Sequence, residues 1–152
     1  MRILRVLCAL LLFAVTALAA DDPFTGTWKL NIAKSKLLVG DNTKSDVYRM
    51  VADDSTIKFT DEITLDKGGR KVTIDAKFDG KYYPIKGDPD TDAVAYERTG
   101  NTLTATLKKG DKIVGKYKAG VSQDGQTTTV IFTVYSNDQP QTFTSVFEKQ
   151  PN

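Results

Sequence analysis

The chain has 152 residues, with 21 Lys and Arg against 19 Asp and Glu, one Cys and no His. Without histidine it can build no Ser-His-Asp or Cys-His nucleophile and no His-ligated metal, and a single thiol excludes an internal disulfide or thiolate zinc site. A net charge of +2 gives no field to gather a polyanion, so nucleic acid is not an expected partner.

Residues 1–19 read as a secretory signal. Arg2 and Arg5 form a basic start, residues 3–15 are mostly apolar, and Ala17-Leu18-Ala19 offers small residues for cleavage. The apolar run is shorter than the ~20 residues of a spanning helix, and no later segment is continuously apolar, so the mature chain is expected to carry no integral membrane segment. Cys8 follows Val6-Leu7 rather than a small residue, which predicts removal with the leader rather than lipid attachment. The leader also holds Arg2 and Arg5 and no acid, so its loss balances the charge. The expectation is a secreted or periplasmic protein with a single domain over 20–152, and roughly 130 residues suffice for a core without disulfides.

From there the pattern has period two. The stretch 27–31 points Trp28 inward and leads into a long connector, 32–45, that has room for one short helical or 3₁₀ turn at Ala33-Lys34-Ser35-Lys36 before Gly40. The stretch 46–52 turns Tyr48 and Met50 to one face, and 56–65 does the same with Ile57, Phe59 and Ile63. In 71–78 the alternation is unbroken, with Val72, Ile74, Ala76 and Phe78 against Lys71, Thr73, Asp75 and Lys77. A short run at 82–85 holds Tyr83, and 86–93, with Pro89 and three Asp, reads as a turn-rich connector. Four further strands place Val94 and Tyr96, Leu103 and Leu107, Ile113 and Tyr117, and Val130, Phe132 and Val134 inward, over 93–98, 102–109, 112–121 and 127–135. The last candidate, 142–149, contributes Phe143 and Phe147.

Short turn signals separate most of these ten runs: Asp53-Asp54-Ser55, Lys67-Gly68-Gly69, Asp79-Gly80, Lys109-Gly110-Asp111, Asp124-Gly125 and Asn137-Asp138. Such turns predict antiparallel hairpins. A long meander has two exposed edges unless it curls and pairs its ends. The expected fold is therefore all-β, an antiparallel up-and-down closed barrel of eight to ten strands with at most one short helix after the first strand. Gly115 and Gly120 mark a strand that bends or bulges.

The opening Pro23-Phe24-Thr25-Gly26-Thr27-Trp28-Lys29-Leu30 resembles the first strand of the calycin barrels, the lipocalins with their Gly-x-Trp and the intracellular fatty-acid-binding proteins with "GTWKL". The resemblance implies that Trp28 lies across the closed end, under the last strand and near a basic side chain, with Gly26 admitting a close neighbour. Gly26, Trp28 and Phe147 are thus structural candidates. The terminal "TFTSVFEK" (142–149) is similar to the last strand of the fatty-acid-binding proteins, whose Arg and Tyr, two residues apart, grip a carboxylate. Ser145 and Phe147 stand at those positions and cannot make that clamp, and 32–45 is short for that family's two lid helices. "GTWKLN" followed by "AKSK" and "FDGKYYPIKGDPD" is also similar to a group of small secreted bacterial lipocalin-like proteins.

For a barrel of this size, inward side chains either fill the lumen or line a ligand cavity. The ligand-binding candidates are Phe59, Tyr83, Tyr96, Arg98, Tyr117, Phe132 and Ser145. Arg98 beside Tyr96 can hold an anionic head group, or it sits at a strand end and reaches solvent, free or paired with an acid, which is the favoured expectation. Asp61 interrupts an apolar face. It is either an interior acid with a raised pKa or, as expected here, is turned outward by a bulge near Thr60. Tyr82-Tyr83-Pro84 reads as a recognition surface or as a short strand with Tyr83 in the core and Tyr82 over a loop. Asp88, Asp90 and Asp92 alternate like calcium ligands, but the twelve-residue calcium pattern fails. No cofactor, metal site or catalytic residue is assigned.

The expectation for function is an exported monomer that binds a small apolar or amphipathic molecule without chemistry. Two alternatives are an envelope protein–protein interaction module with a filled core and an isomerase or hydrolase using Asp61, Glu97 or Tyr96. A lumen of several hundred Å³ favours the carrier, a filled one the interaction module, and a buried carboxylate beside an open pocket the enzyme.

Overall fold

The computed structural model describes residues 21–136 and 139–151. The expected leader, with Cys8, and the expected turn at Asn137-Asp138 lie outside the described residues. Among the described residues there are ten strands: β1 (Gly26–Leu30), β2 (Thr43–Ala52), β3 (Thr56–Leu65), β4 (Gly69–Lys77), β5 (Tyr82–Lys86), β6 (Ala93–Thr99), β7 (Thr102–Lys109), β8 (Lys112–Val121), β9 (Thr127–Ser136) and β10 (Gln139–Lys149). A 3₁₀ turn, Ile32–Lys34, follows β1, within the connector where a short turn was expected. Asn31 caps it, its side chain accepting from the Lys34 N–H at 3.1 Å.

Each strand pairs antiparallel with its sequence neighbours, and β1 also pairs with β10, so the sheet closes on itself. At the seam Trp28 stands opposite Lys149 on one side and Tyr48 on the other. Closure satisfies the backbone groups that a meander leaves open at both edges. The architecture is consistent with the calycin-like expectation.

The inner face is the one the alternation predicts. Tyr48, Met50, Ile57, Val72, Ile74 and Ala76 are buried in register across β2, β3 and β4, and Val94, Tyr96, Leu103, Val130 and Phe147 continue the core around the barrel. Two expected faces change, one inward and one outward. Ile113 is 45% exposed because the β7–β8 register slips: Leu107 faces Gly115 while Lys108 faces Ile113, leaving Val114 as the extra residue of a bulge. A one-residue insertion sends every residue beyond it to the opposite face, so the bend expected at Gly115 lies beside it and carries Ile113 outward. Asp61 changes in the other direction. Thr60 pairs with Arg49 and with Thr73 in unbroken register, so no bulge turns Asp61 outward and it stays on the inner face.

One end of the barrel is sealed by the segment before β1. Phe24 is 1% exposed and Trp28 fully buried, the indole Nε1–H donating to the Phe24 carbonyl at 3.1 Å. The Thr25 hydroxyl donates to the Ala52 carbonyl at 3.2 Å and its Oγ1 accepts from the Ala52 N–H at 2.9 Å, which locks the segment to β2. Gly26, at φ +147°, leaves space that a Cβ would take from the Lys149 side chain, 2.7 Å from Cε. That space lets the Lys149 ammonium stand 5.3 Å from the indole ring, the basic neighbour that the resemblance implies.

Candidate functional site in the barrel lumen

A cavity of about 260 Å³ lies in the lumen. Its walls come from the inner faces of the strands, and the connector before β2, with Leu37 and Asp41, and the β5–β6 loop, with Asp88 and Thr91, contribute to its rim. Five of the seven sequence candidates line it: Phe59, Tyr96, Tyr117, Phe132 and Ser145. Ser145 is buried between the inward Phe143 and Phe147, where a small side chain leaves volume that a larger one would occupy.

The aromatic rings are organised. Phe143 and Phe132 stack with centroids 4.8 Å apart and planes within 7°. Tyr117 follows at 5.0 Å from Phe132, then Tyr96 at 6.2 Å from Tyr117 and Phe78 at 6.4 Å from Tyr96. Across the lumen Tyr48 meets Phe59 at 5.3 Å and Phe147 at 4.8 Å. Such pairs prefer these offset and edge-on arrangements because ring edges are positive and faces negative. The Tyr117 hydroxyl donates to that of Tyr96 at 2.8 Å. Burial raises the pKa of both phenols, so both are neutral at physiological pH.

The remaining two candidates are placed elsewhere. Arg98 does not line the cavity. Its Nη1 donates to Asp22 at 2.6 Å and to the Asp53 carbonyl at 3.0 Å, and its Nε–H donates to the Gly100 carbonyl at 3.0 Å. The guanidinium lies 5.2 Å from the Phe24 ring centroid and 5.5 Å from that of Phe78. Its place is in the sealed end, paired with an acid. Tyr83 packs against the core but donates its hydroxyl outward to Asp79 at 3.0 Å. Tyr82 is on the outer face, with the Lys108 ammonium 4.0 Å from its ring centroid.

Polar residues complete the site, Asp61 among those weighed in the sequence and Asp46, Arg70 and Thr128 not. Asp46 on β2 and Asp61 on β3 lie diagonally across the register inside the barrel. Burial raises both pKa values, and for Asp61 the neighbouring Asp46 charge adds to the rise while Arg70 on β4 opposes it. Two carboxylates this close in a dry site resist ionising together, so the pair retains a proton well above the ordinary carboxyl range. The Arg70 Nη1 is engaged by Asp88 at 3.4 Å and Asp90 at 3.3 Å. Asp92 accepts from the Gly110 N–H at 2.9 Å. Two of the three alternating acids thus serve Arg70 and the third a turn, and among the described residues no cluster of His, Cys, Asp or Glu is arranged to hold a metal.

Among the described residues, four buried side-chain atoms have no hydrogen-bond partner: Asp46 Oδ1, Asp61 Oδ1, Arg70 Nε and Thr128 Oγ1. All four residues line the cavity. A buried polar atom without a partner costs about 1–3 kcal/mol, so such atoms rarely gather in one place without reason. Arg70 and Asp46 had signals in the sequence. Asp46 shares parity with Tyr48 and Met50, and Arg70 shares parity with Val72, one position before the expected start of its strand.

No helix among the described residues is long and apolar enough to cross a membrane. No family model and no curated protein matches the chain.

Proposed function

We propose that the chain is an exported binding protein that takes one small apolar or amphipathic molecule into its barrel and works as a monomer. The observation that carries this reading is the lumen cavity, whose lining includes, beside an aromatic wall, all four residues with an unpartnered buried polar atom. Its volume of about 260 Å³ is close to the lower end of small-molecule sites, about 300 Å³ and upward. The lipocalin-like resemblance of the opening and closing strands supports the same reading. In it Phe59, Tyr96, Tyr117, Phe132 and Ser145 touch the ligand, while Arg98 and Tyr83 hold the surrounding shell.

A second reading rests on the Asp46–Asp61 pair. A carboxyl group that keeps its proton beside an open pocket can donate it to a bound molecule, which is the condition set above for an isomerase or hydrolase. The two readings separate on whether the bound molecule changes.

Native mass spectrometry of the protein purified from its own host tests the carrier reading. It predicts a co-purified small molecule recovered chemically unchanged. A clean protein mass, together with no thermal shift across a panel of lipids and small amphiphiles, overturns it.

A further inference from the structure

We propose that the ligand of this lumen is an amphipathic amine, its ammonium group held by Asp46 and Asp61 and its apolar body lying along the aromatic wall of Phe59, Tyr117 and Phe132. This assignment rests on the binding-protein reading and gives its ligand a chemical class.

Charge points to a cation. The cavity lining carries four acids, Asp41, Asp46, Asp61 and Asp88, against one base, Arg70. That base is already engaged through Nη1 by Asp88 and Asp90, so the lining keeps an excess of acids that disfavours an incoming anion and favours a cation. The groups left without a partner are of mixed kind: carboxyl oxygens on Asp46 and Asp61, a hydroxyl on Thr128 that can accept or donate, and one donor, Arg70 Nε. Thr128, 1% exposed, lines the cavity with its hydroxyl unpartnered. A primary ammonium brings three donors and no acceptor. The faces of Tyr48, Phe59 and Tyr117, also in the lining, favour a cation further through their negative π-faces.

Proton balance follows. In the empty site the carboxyl pair holds one proton. The ammonium arrives already charged, and as its N–H groups take the place of that proton, the proton leaves to solvent. Binding therefore releases up to one proton per ligand and strengthens as pH rises from 6 to 9. The groups facing the pair are Asp41 from the connector, Tyr48 on β2, Arg70 on β4, Asp88 from the β5–β6 loop and Tyr117 on β8. Burial keeps both tyrosines neutral throughout this range, so the change belongs to the carboxyl pair.

Isothermal titration of the protein with n-octylamine, n-octanol and n-octanoate, below their aggregation limits and in two buffers of different ionisation enthalpy, tests the assignment. Octylamine is expected to bind at least tenfold tighter than octanol, with octanoate weakest, and to release a proton. Asp61→Asn is expected to weaken octylamine at least tenfold and to leave octanol unchanged, with Asp46→Asn as the second variant should the first fail to fold. Octanol or octanoate binding as tightly as octylamine, or a preference that survives both substitutions, overturns the amine assignment and leaves the binding-protein reading standing. Failure of all three ligands to bind overturns both.

Discussion

Trp28 and Arg98 show how single side chains seal the barrel. The indole is fully buried with its N–H satisfied, so Trp28→Ala should cost about 3–5 kcal/mol, read as a lower urea midpoint. Arg98→Met leaves Asp22, a carboxylate only 10% exposed, without its cation. Breaking a buried pair from one side costs about 3–5 kcal/mol, so this variant should also unfold at lower urea yet keep its affinity for a lumen ligand. A loss of affinity at unchanged stability would return Arg98 to the binding site. At this scale the sequence was readable where one residue type has one use. A lone Trp after Gly26 and Thr27 announces a plug, whereas the expectation that Arg98 reaches solvent fails: it has an acid partner, but its side chain is only 13% exposed. The interior polar residues were harder to read. Asp61 on an apolar face offers two explanations, outward bulge or buried acid, and only the register across β2 and β4 decides between them. Arg70 follows two glycines and looks like part of the turn.

Strand positions were legible because a half-buried strand writes its faces in alternate residues, and all ten runs are strands. What alternation does not contain is a change of phase. The extra residue Val114 reverses the face of Ile113 with no change in composition, and Gly115 only marks the neighbourhood. Glycine also matters where β5 leaves the sheet. Gly87 has φ +86°, and a Cβ there would collide with the Lys71 carbonyl oxygen of β4. Gly87→Ala should therefore cost more than about 1 kcal/mol. Because β5 and β4 share only two register pairs, Thr73 with Lys86 and Ile74 with Ile85, hydrogen exchange in that variant should rise first in β5. Exchange that rises uniformly over the barrel would show that this junction is not a local weak point.

For the whole molecule, closure was inferable from chain-wide strand count and turn spacing, whereas the state of the lumen was not, since periodicity is the same for a filled and a hollow barrel. The interior acids give the empty protein a measurable signature. Their folded-state pKa values lie above the ordinary carboxyl range, so the native state holds a proton that the unfolded chain has already released. Stability is then greatest in acid, as far as these groups contribute, and declines as pH rises from the ordinary carboxyl range through neutrality. Asp61→Asn should flatten that decline and raise the urea midpoint at pH 8 more than at pH 5. An unchanged slope would place the Asp61 carboxyl in contact with water.

Whether the barrel holds a usable cavity is read most simply by titrating the protein with the neutral probe N-phenyl-1-naphthylamine, followed by fluorescence and compared with a Ser145→Phe variant whose larger ring occupies the lumen. Saturable binding of one probe per chain is expected, lost in a variant that still unfolds cooperatively. Absence of saturable binding, or equal binding by a folded Ser145→Phe protein, would contradict a usable cavity.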